Sequence, residues 1–186
     1  MELLTARFKF RGLRSTDRAA WIAGLEASQT LHQPWVPIPP PGLTLPARFA
    51  AQLAAHEAGT SYKGVAIAPD GRIAAWANLN DIVRSASWSA NAGWSVHAAF
   101  AGKGVMTEVV MALLDVAFTP LPHGLGLHRV AAGIMPENAA SLRVAEKAGF
   151  RREGYAVELV HIAGAWRDHV LFAKLAREHR APVETT

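Results

Sequence analysis

Apolar and polar positions alternate in short runs along the first half of the chain, and two longer stretches between them have helical spacing. Residues 15–17 are Ser, Thr and Asp, whose side-chain oxygens can cap a helix, and Pro46 suits the first turn of another. Residues 69–71, Pro-Asp-Gly, have the chemistry of a tight turn. The pattern predicts a strand over 4–10, helices ending near residues 27 and 58, and strands over 62–68 and 72–80.

The second half contains the most apolar helix-like stretch of the chain. Over residues 105–118 apolar side chains recur at helical spacing around most of the surface, which predicts a deeply buried helix. Asn138 suits the N-cap of a later helix, and Gly149 suits its end. The remaining pattern predicts strands over 93–96, 128–135, 155–162 and 166–175, with loops over 31–46, 81–91 and 119–127.

This order of elements predicts an α/β fold of the α+β kind, in which helices flank a central, mostly antiparallel mixed sheet. The strand–helix–strand step around residue 105 requires one crossover connection and therefore one parallel pair. At 186 residues the chain is long enough for one well-filled core. We expect a single domain over residues 1–176 and a polar C-terminal tail over 177–186.

Composition narrows the class of protein. The chain has no cysteine, which excludes disulfides, thiolate nucleophiles and thiolate metal sites, and no other metal-binding motif is present. No apolar run reaches the ~20 residues of a membrane span, and residues 1–10 lack the apolar core of a signal peptide, so we expect a cytoplasmic protein without membrane contact. The net charge is +4 with scattered Lys and Arg. This favours an anionic ligand over direct nucleic-acid binding.

The stretch "AFAGKGVMTE" places two glycines at the point where a strand-like segment becomes helical. Gly102 and Gly104 let the backbone turn tightly and let a ligand approach closely. The following helix offers unpaired N–H groups and a partial positive charge, which suit a phosphate or pyrophosphate. An ordinary strand-to-helix turn is the alternative interpretation of this motif.

The motif and its surroundings resemble the GNAT acetyltransferase superfamily, in which a glycine turn of the form [QR]-x-x-G-x-[GA] cradles the pyrophosphate of acetyl-CoA. The resemblance lies in "GWSVHAAFAGKGVMTEVV" and "HRVAAGIMPENAASLRVAEKAGFRREGY". The segments "LHQPWVP", "WANLNDIVRS" and "GYAVELVHIAGAWRDHVLFAKL" are similar to the branch of ribosomal-protein-alanine N-acetyltransferases, of RimJ/RimL type. The resemblance covers nearly the whole chain, from Leu4 to Leu175. Ala99 stands at the Gln/Arg position of the motif, and Lys103 is the candidate to supply the missing polar contact.

The resemblance implies the GNAT fold, acetyl-CoA as co-substrate and no metal. It also implies a protein N-terminal α-amine as acceptor, with a ribosomal protein as the candidate and a homodimer as a candidate assembly. Without a cysteine to carry the acetyl group, we expect direct transfer in a ternary complex. The alternatives are an acetyltransferase for a small amine and a non-catalytic acyl-CoA-binding module. The implied cofactor-binding residues are Trp94, Ser95, Val96, Ala101, Gly102, Lys103, Gly104, Val105, Met106, Asn138 and Ser141.

Glu158 is the candidate general base. Strand alternation over 156–162 would place its carboxyl on a face with apolar neighbours, where desolvation raises a carboxyl pKa toward the working pH. The alternative is a surface glutamate paired with an arginine such as Arg152 or Arg167.

Ser141 is the candidate catalytic acid. The resemblance implies that its hydroxyl protonates the leaving thiolate of CoA and that Asn138 bonds the cofactor arm. The alternative is a purely local role for both, as helix cap and first-turn residue. The candidate acceptor-binding residues are Trp35, Asn78, Trp88 and Trp166. For the three tryptophans, packing in the core or at its rim is the alternative.

Overall fold

A single eight-stranded sheet organises residues 1–179, the part of the chain that the computed structural model describes. Its spatial order is β1-β2-β3-β4-β5-β6-β8-β7, and every neighbouring pair is antiparallel except β5 and β6. The strands are β1 (Glu2–Leu4), β2 (Lys9–Gly12), β3 (Tyr62–Ile67), β4 (Ile73–Val83), β5 (Ser89–Val96), β6 (Arg129–Ile134), β7 (Arg151–Ile162) and β8 (Ala165–Leu175). The predicted mixed sheet with one parallel crossover is confirmed.

Five helices flank this sheet: α1 (Arg18–Ala27), α2 (Gln29–His32), α3 (Leu45–Glu57), α4 (Val105–Phe118) and α5 (Ala139–Lys147). The predicted cap of α5 is confirmed, and Thr44 caps α3. Thr44 accepts from the backbone N–H of Ala47 at 3.3 Å, and Asn138 accepts from that of Ser141 at 3.0 Å. No helix within residues 1–179 has the length and apolarity to cross a lipid bilayer.

The core lies on both faces of the sheet. On one face α4 packs against β4, and Val109, Val110, Leu113 and Leu114 are fully buried, as the apolar pattern predicts. On the other face α1 and α3 cover β3 and β4 through a smaller aromatic cluster that includes Trp21 and Trp76. Because successive β4 side chains point to opposite faces, this strand contributes to both layers.

Four predicted boundaries differ from the structure. The strand over 4–10 is interrupted by a turn in which the N–H of Thr5 donates to the carbonyl of Phe8. The side chain of Asp17 pairs with Arg11 and with the N–H of Arg14, so it does not cap α1. The loop over 81–91 is shorter, because β4 and β5 extend into it. The loop over 31–46 begins with the end of α2 and a 3-10 turn over Gln33–Trp35, since its prolines start only at Pro34.

The predicted tail begins with a described 3-10 turn over Ala176–Glu178, where Glu178 pairs with Arg151 and accepts from the N–H of Leu175. The rest of the tail, residues 180–186, lies outside the described residues.

The parallel pair at the centre of the sheet opens into a wedge. Pairing of β5 with β6 covers residues 89–91 and 129–131 only, although β5 continues to Val96 and β6 to Ile134. The two strands therefore separate over their C-terminal halves. The opening lies beside residues 94–96, which are among the implied cofactor-binding residues.

Candidate functional site

A cleft of about 830 Å³ occupies the wedge. Its walls are the separated ends of β5 and β6, the first turns of α4 and α5, and the proline-rich segment after α2. Backbone direction alternates along an antiparallel strand. Since the N–H of His97 donates to the carbonyl of Ala74 next to β4, the N–H groups of Trp94 and Val96 point the other way. They face the wedge, where β6 no longer pairs with them.

The two glycines of the turn before α4 both adopt left-handed backbone conformations, with φ of +74° at Gly102 and +72° at Gly104. A Cβ added at Gly102 would meet nothing within 4 Å, so that side of the turn is open. Gly104 is also the N-cap of α4 and supplies no side-chain acceptor. The N–H groups of the first turn are thus left for an anion, next to Val105, Met106 and Thr107 in the cleft wall.

Arg7 and Glu108 hold this turn from the β1–β2 side. The Arg7 guanidinium donates to Glu108 Oε2 at 2.7 Å and to the Lys103 carbonyl at 2.8 Å, while Thr5 donates to Glu108 Oε1 at 2.6 Å. Burial opposes ionisation of Glu108, but these hydrogen bonds outweigh it and hold the pKa of Glu108 below its usual value. Lys103 Nζ donates to the Ala99 carbonyl at 3.0 Å. Its ammonium group therefore lies beside the backbone of Ala99 and outside the cleft wall.

The N-terminus of α5 forms the opposite wall. Asn138 uses Oδ1 to cap the helix through the N–H of Ser141, which leaves its Nδ2 group to donate elsewhere. The Ser141 side chain lines the cleft, and within residues 1–179 its hydroxyl has no hydrogen-bond partner. The local role and the cofactor-contacting role of Asn138 are therefore compatible.

A second cavity, of about 540 Å³, adjoins the cleft on the face of the sheet that α1 and α3 cover. His32, Arg48, Lys63, Asn78 and Ser95 line both spaces. No Asp or Glu of residues 1–179 lines the larger cleft, whereas four cationic side chains do: Arg48, Lys63, Arg143 and Lys147. The exposed Glu26 is the one carboxylate among the described residues lining the second cavity. The electrostatic field in this region is therefore positive.

The prediction that the Glu158 carboxyl lies among apolar neighbours is wrong. β7 bulges against β8 between Ala156 and Val160, so simple alternation does not hold there. Glu158 lies in this bulge with φ of +49°, is exposed, and donates its N–H to Asp168 Oδ1 at 2.8 Å. Its side chain is not part of the cleft wall and forms no ion pair with a described residue, so the alternative pairing with an arginine is absent as well.

Of the other candidates, the structure brings most to the cleft. Nine of the eleven candidate cofactor residues line it; Ala101 and Lys103 belong to the turn but not to the wall. Trp35 and Asn78, two of the candidate acceptor-binding residues, line the cleft as well. Trp88 lies exposed in the β4–β5 connection, and Trp166 lies exposed in the β7–β8 hairpin against His161. These two tryptophans are outside the cleft wall, so the structure does not place them in an acceptor groove.

Three residues of the wall were missed by sequence reasoning. His32 Nε2 lies 2.8 Å from the Val96 carbonyl, and Lys63 contacts Asn80. A lone lysine inside the apolar run "YKGVAI" was a signal for Lys63. His32 and Arg48 have no such signal, because tertiary packing alone brings α2 and α3 to the wedge.

Comparisons with known proteins agree with this geometry. Residues 7–151 match the model of the acetyltransferase (GNAT) domain. The [Ribosomal protein uS5]-alanine N-acetyltransferase of Escherichia coli is 31% identical over 84% of this chain and 82% of its own length. The Probable N-acetyltransferase YjcK of Bacillus subtilis is 45% identical over 60% of each chain, so the chain spans less than two thirds of that relative's length.

Solved structures give the same fold. RimJ of Mycobacterium smegmatis, solved in complex with CoA-disulfide, is 28% identical with a TM-score of 0.85 over 97% of this chain and 90% of its own. The spermidine N-acetyltransferase of Vibrio cholerae, solved with CoA and spermine, is 20% identical with a TM-score of 0.79 over 94% and 98%, a likeness of fold alone. The match over residues 7–151, more than half of the chain, places this protein in the GNAT acetyltransferase family.

Proposed function

We propose that the protein transfers the acetyl group of acetyl-CoA to the N-terminal α-amine of a protein, with a ribosomal protein as the candidate acceptor. The observation that carries the proposal is a continuous cleft from the glycine turn, through the wedge, to an acceptor side almost free of carboxylates. The relatives described as alanine N-acetyltransferases support the choice of acceptor.

On the cofactor side, the turn at Gly102 and Gly104 would bind the pyrophosphate through its free N–H groups. The pantetheine arm would run along the unpaired edge of β5, where the N–H groups of Trp94 and Val96 can donate to it. The Val96 N–H is the candidate donor to the oxyanion of the tetrahedral intermediate. Ser141 would then donate a proton to the leaving thiolate, in keeping with its unpartnered hydroxyl in the cleft wall.

On the acceptor side, the chemistry favours an α-amine. An α-amine with a pKa of ~8 is neutral far more often at pH 7 than a lysine at ~10.4, so less free energy is spent on removing its proton. A polyamine would bring several positive charges to a wall that already has Arg48 and Lys63. Like charges at such a site disfavour binding.

The proton of the amine needs an acceptor, and the role of Glu158 stays a prediction. His32 fits that role better by position. A carbonyl oxygen can only accept, so Nε2 of His32 donates to Val96 and Nδ1 keeps its lone pair. Burial lowers the pKa of His32, the hydrogen bond to the Val96 carbonyl opposes this, and the neighbouring His97 adds to it. The lowered pKa favours the neutral ring at pH 7. We assign His32 as proton acceptor, acting through a water molecule.

One observation favours a second candidate, a non-catalytic acyl-CoA-binding module. The sequence predicts a glutamate as the general base, but no carboxylate of the described residues lines the large cleft. A module of this kind would bind acetyl-CoA without turning it over in the presence of any amine.

The test is to incubate the protein with acetyl-CoA and hexapeptides that begin with Ala, Ser or Met, and to follow release of the CoA thiol. Matched peptides with an acetylated N-terminus and an internal lysine, and spermidine, serve as competing acceptors. We expect thiol release with free N-termini only. Release with blocked lysine peptides or spermidine alone would contradict the α-amine assignment, and CoA binding without any release would favour the module.

A further inference from the structure

Lys63 is a buried cation without a carboxylate partner. Its side chain is part of the apolar strand β3, the residue is 8% exposed, and its Nζ donates to Asn80 Oδ1. No carboxylate of residues 1–179 lies within 4 Å of Nζ. Burying an ammonium group with one neutral partner is costly. Burial lowers the pKa of Lys63, and the carboxyl of Asp81, which acts from a distance, opposes that shift.

Arg48 lies on the same wall. It belongs to α3, is half-buried, and lines both the cleft and the adjoining cavity with Lys63. Among the described residues it forms no ion pair. Gln52, one helical turn further along α3, lines both spaces as well and adds a neutral donor. Two cations, Arg48 and Lys63, and two amide side chains, Gln52 and Asn78, thus line both spaces. Among the described residues the one carboxylate that lines either space is the exposed Glu26.

We propose that Lys63 and Arg48 form a subsite for a carboxylate of the acceptor, namely an acidic side chain within the first four residues of the acceptor peptide. The inference rests on the proposed function and names the class of acceptor for that same cleft. An acidic side chain of the peptide would form charge-assisted hydrogen bonds with Lys63 and so supply the negative charge that no described residue places beside it.

Strand geometry sets the position of that acidic residue. Lys63 pairs with Asn78, and Asn78 pairs with Gly93, so Lys63 is two strands from β5 and two residues back from Ser95. With ~4.8 Å between strands and ~3.4 Å per residue, the two Cα atoms lie about 12 Å apart. In an extended peptide that starts beside Ser95, the third and fourth Cα atoms lie ~7 and ~10 Å from the first, and the lengths of the acidic side chain and of the Lys63 side chain cover the remaining distance.

The experiment compares hexapeptides that share the first residue and differ only in having Glu, Gln or Lys at position two, three or four. We measure kcat/KM for wild type, Lys63→Met and Arg48→Met. Arg18→Met, on the exposed face of α1, is the matched control for loss of one positive charge. Wild type and Arg18→Met should prefer Glu over Gln about tenfold or more at position three or four, and Lys there should be disfavoured. Each subsite variant should reduce that preference by about tenfold.

The outcomes separate the two proposals. Acetylation of all peptides at equal rates would overturn the subsite while leaving the α-amine proposal intact. An unchanged Glu preference in both Lys63→Met and Arg48→Met would overturn it as well. Absence of acetylation of any peptide would overturn both. Arg48→Met removes a partly exposed side chain, so it keeps the test decisive if Lys63→Met does not fold.

Discussion

The Nε2 atom of His32 lies 2.8 Å from the carbonyl oxygen of Val96 and ties α2 to the end of β5 at the mouth of the wedge. The His32 ring also meets Trp76 edge-on, with 5.9 Å between ring centroids. These two contacts fix the orientation of the imidazole beside the strand whose N–H groups face the cofactor side. The only proton-accepting atom that this leaves free on the ring is Nδ1.

Replacing His32 with Gln should lower kcat about a hundredfold, because loss of a positioned proton acceptor typically costs that much. It should also remove the acidic limb of the kcat–pH profile. The midpoint of that limb lies below 6.5, the ordinary pKa of histidine, because burial lowers the pKa of His32. His97 also has a lowered pKa, and its charge acts on His32, but His97→Gln should leave the limb in place. Steady-state kinetics from pH 5 to 9 test this.

Glu158→Gln is the companion variant. Its carboxyl is exposed and outside the cleft wall, so the pH profile of this variant should match that of wild type. A profile that loses its acidic limb in Glu158→Gln and keeps it in His32→Gln would restore the glutamate as base and refute His32.

Gly102→Ala should weaken CoA binding far more than it weakens the fold. The left-handed φ makes any Cβ unfavourable by about 1 kcal/mol, and nothing lies within 4 Å of the added methyl. In the cradle, however, the methyl would stand where the pyrophosphate approaches, so the Kd for CoA should rise at least tenfold. Calorimetry with CoA and urea unfolding measure the two effects.

Gly71→Ala is a matched control, because Gly71 has φ of +85° and also has nothing within 4 Å of an added Cβ. It lies in the β3–β4 turn, away from the cleft wall. It should show the same loss of stability with no change in the Kd for CoA. Equal Kd changes in the two variants would refute the cradle.

Stability should fall as the pH falls from 7.5 to 5.5. Burial lowers the pKa of His32 and His56 below 6.5, so below that pH the unfolded chain binds more protons than the folded chain. The free energy of unfolding therefore decreases with decreasing pH. Urea midpoints at the two pH values measure the effect, and His32→Gln should reduce it. A midpoint that is unchanged or higher at pH 5.5 would contradict this assignment.

Much of the fold follows from local pattern. Because α4 is apolar around most of its surface, it is stable only when it is buried against the sheet. Asn138 caps α5, as its short polar side chain predicts. The glycine turn was visible because glycine is the residue that adopts a left-handed backbone without strain. These features depend on residues a few positions apart.

The acceptor side was less predictable, because it depends on contacts between distant segments. The strand alternation from which Glu158 was predicted as the base fails at a β-bulge, and no residue type near it indicates a bulge. Glu158 itself has a left-handed backbone there. His32 and Lys63 are widely separated in sequence and line the same cleft only because β3, β4 and β5 pair in the folded sheet. The period-two pattern of strands and the period-3.6 pattern of helices contain no information on which distant segments come together in the fold.

The most direct test is a crystal structure of the protein with CoA and an N-terminally acetylated product peptide. We predict that the pyrophosphate accepts from the N–H groups of the turn at Gly102 and Gly104, and that the acetylated N-terminus lies between Ser141 and His32. A glycine turn without the pyrophosphate, or a peptide bound beside Trp166 and away from the wedge, would contradict the account.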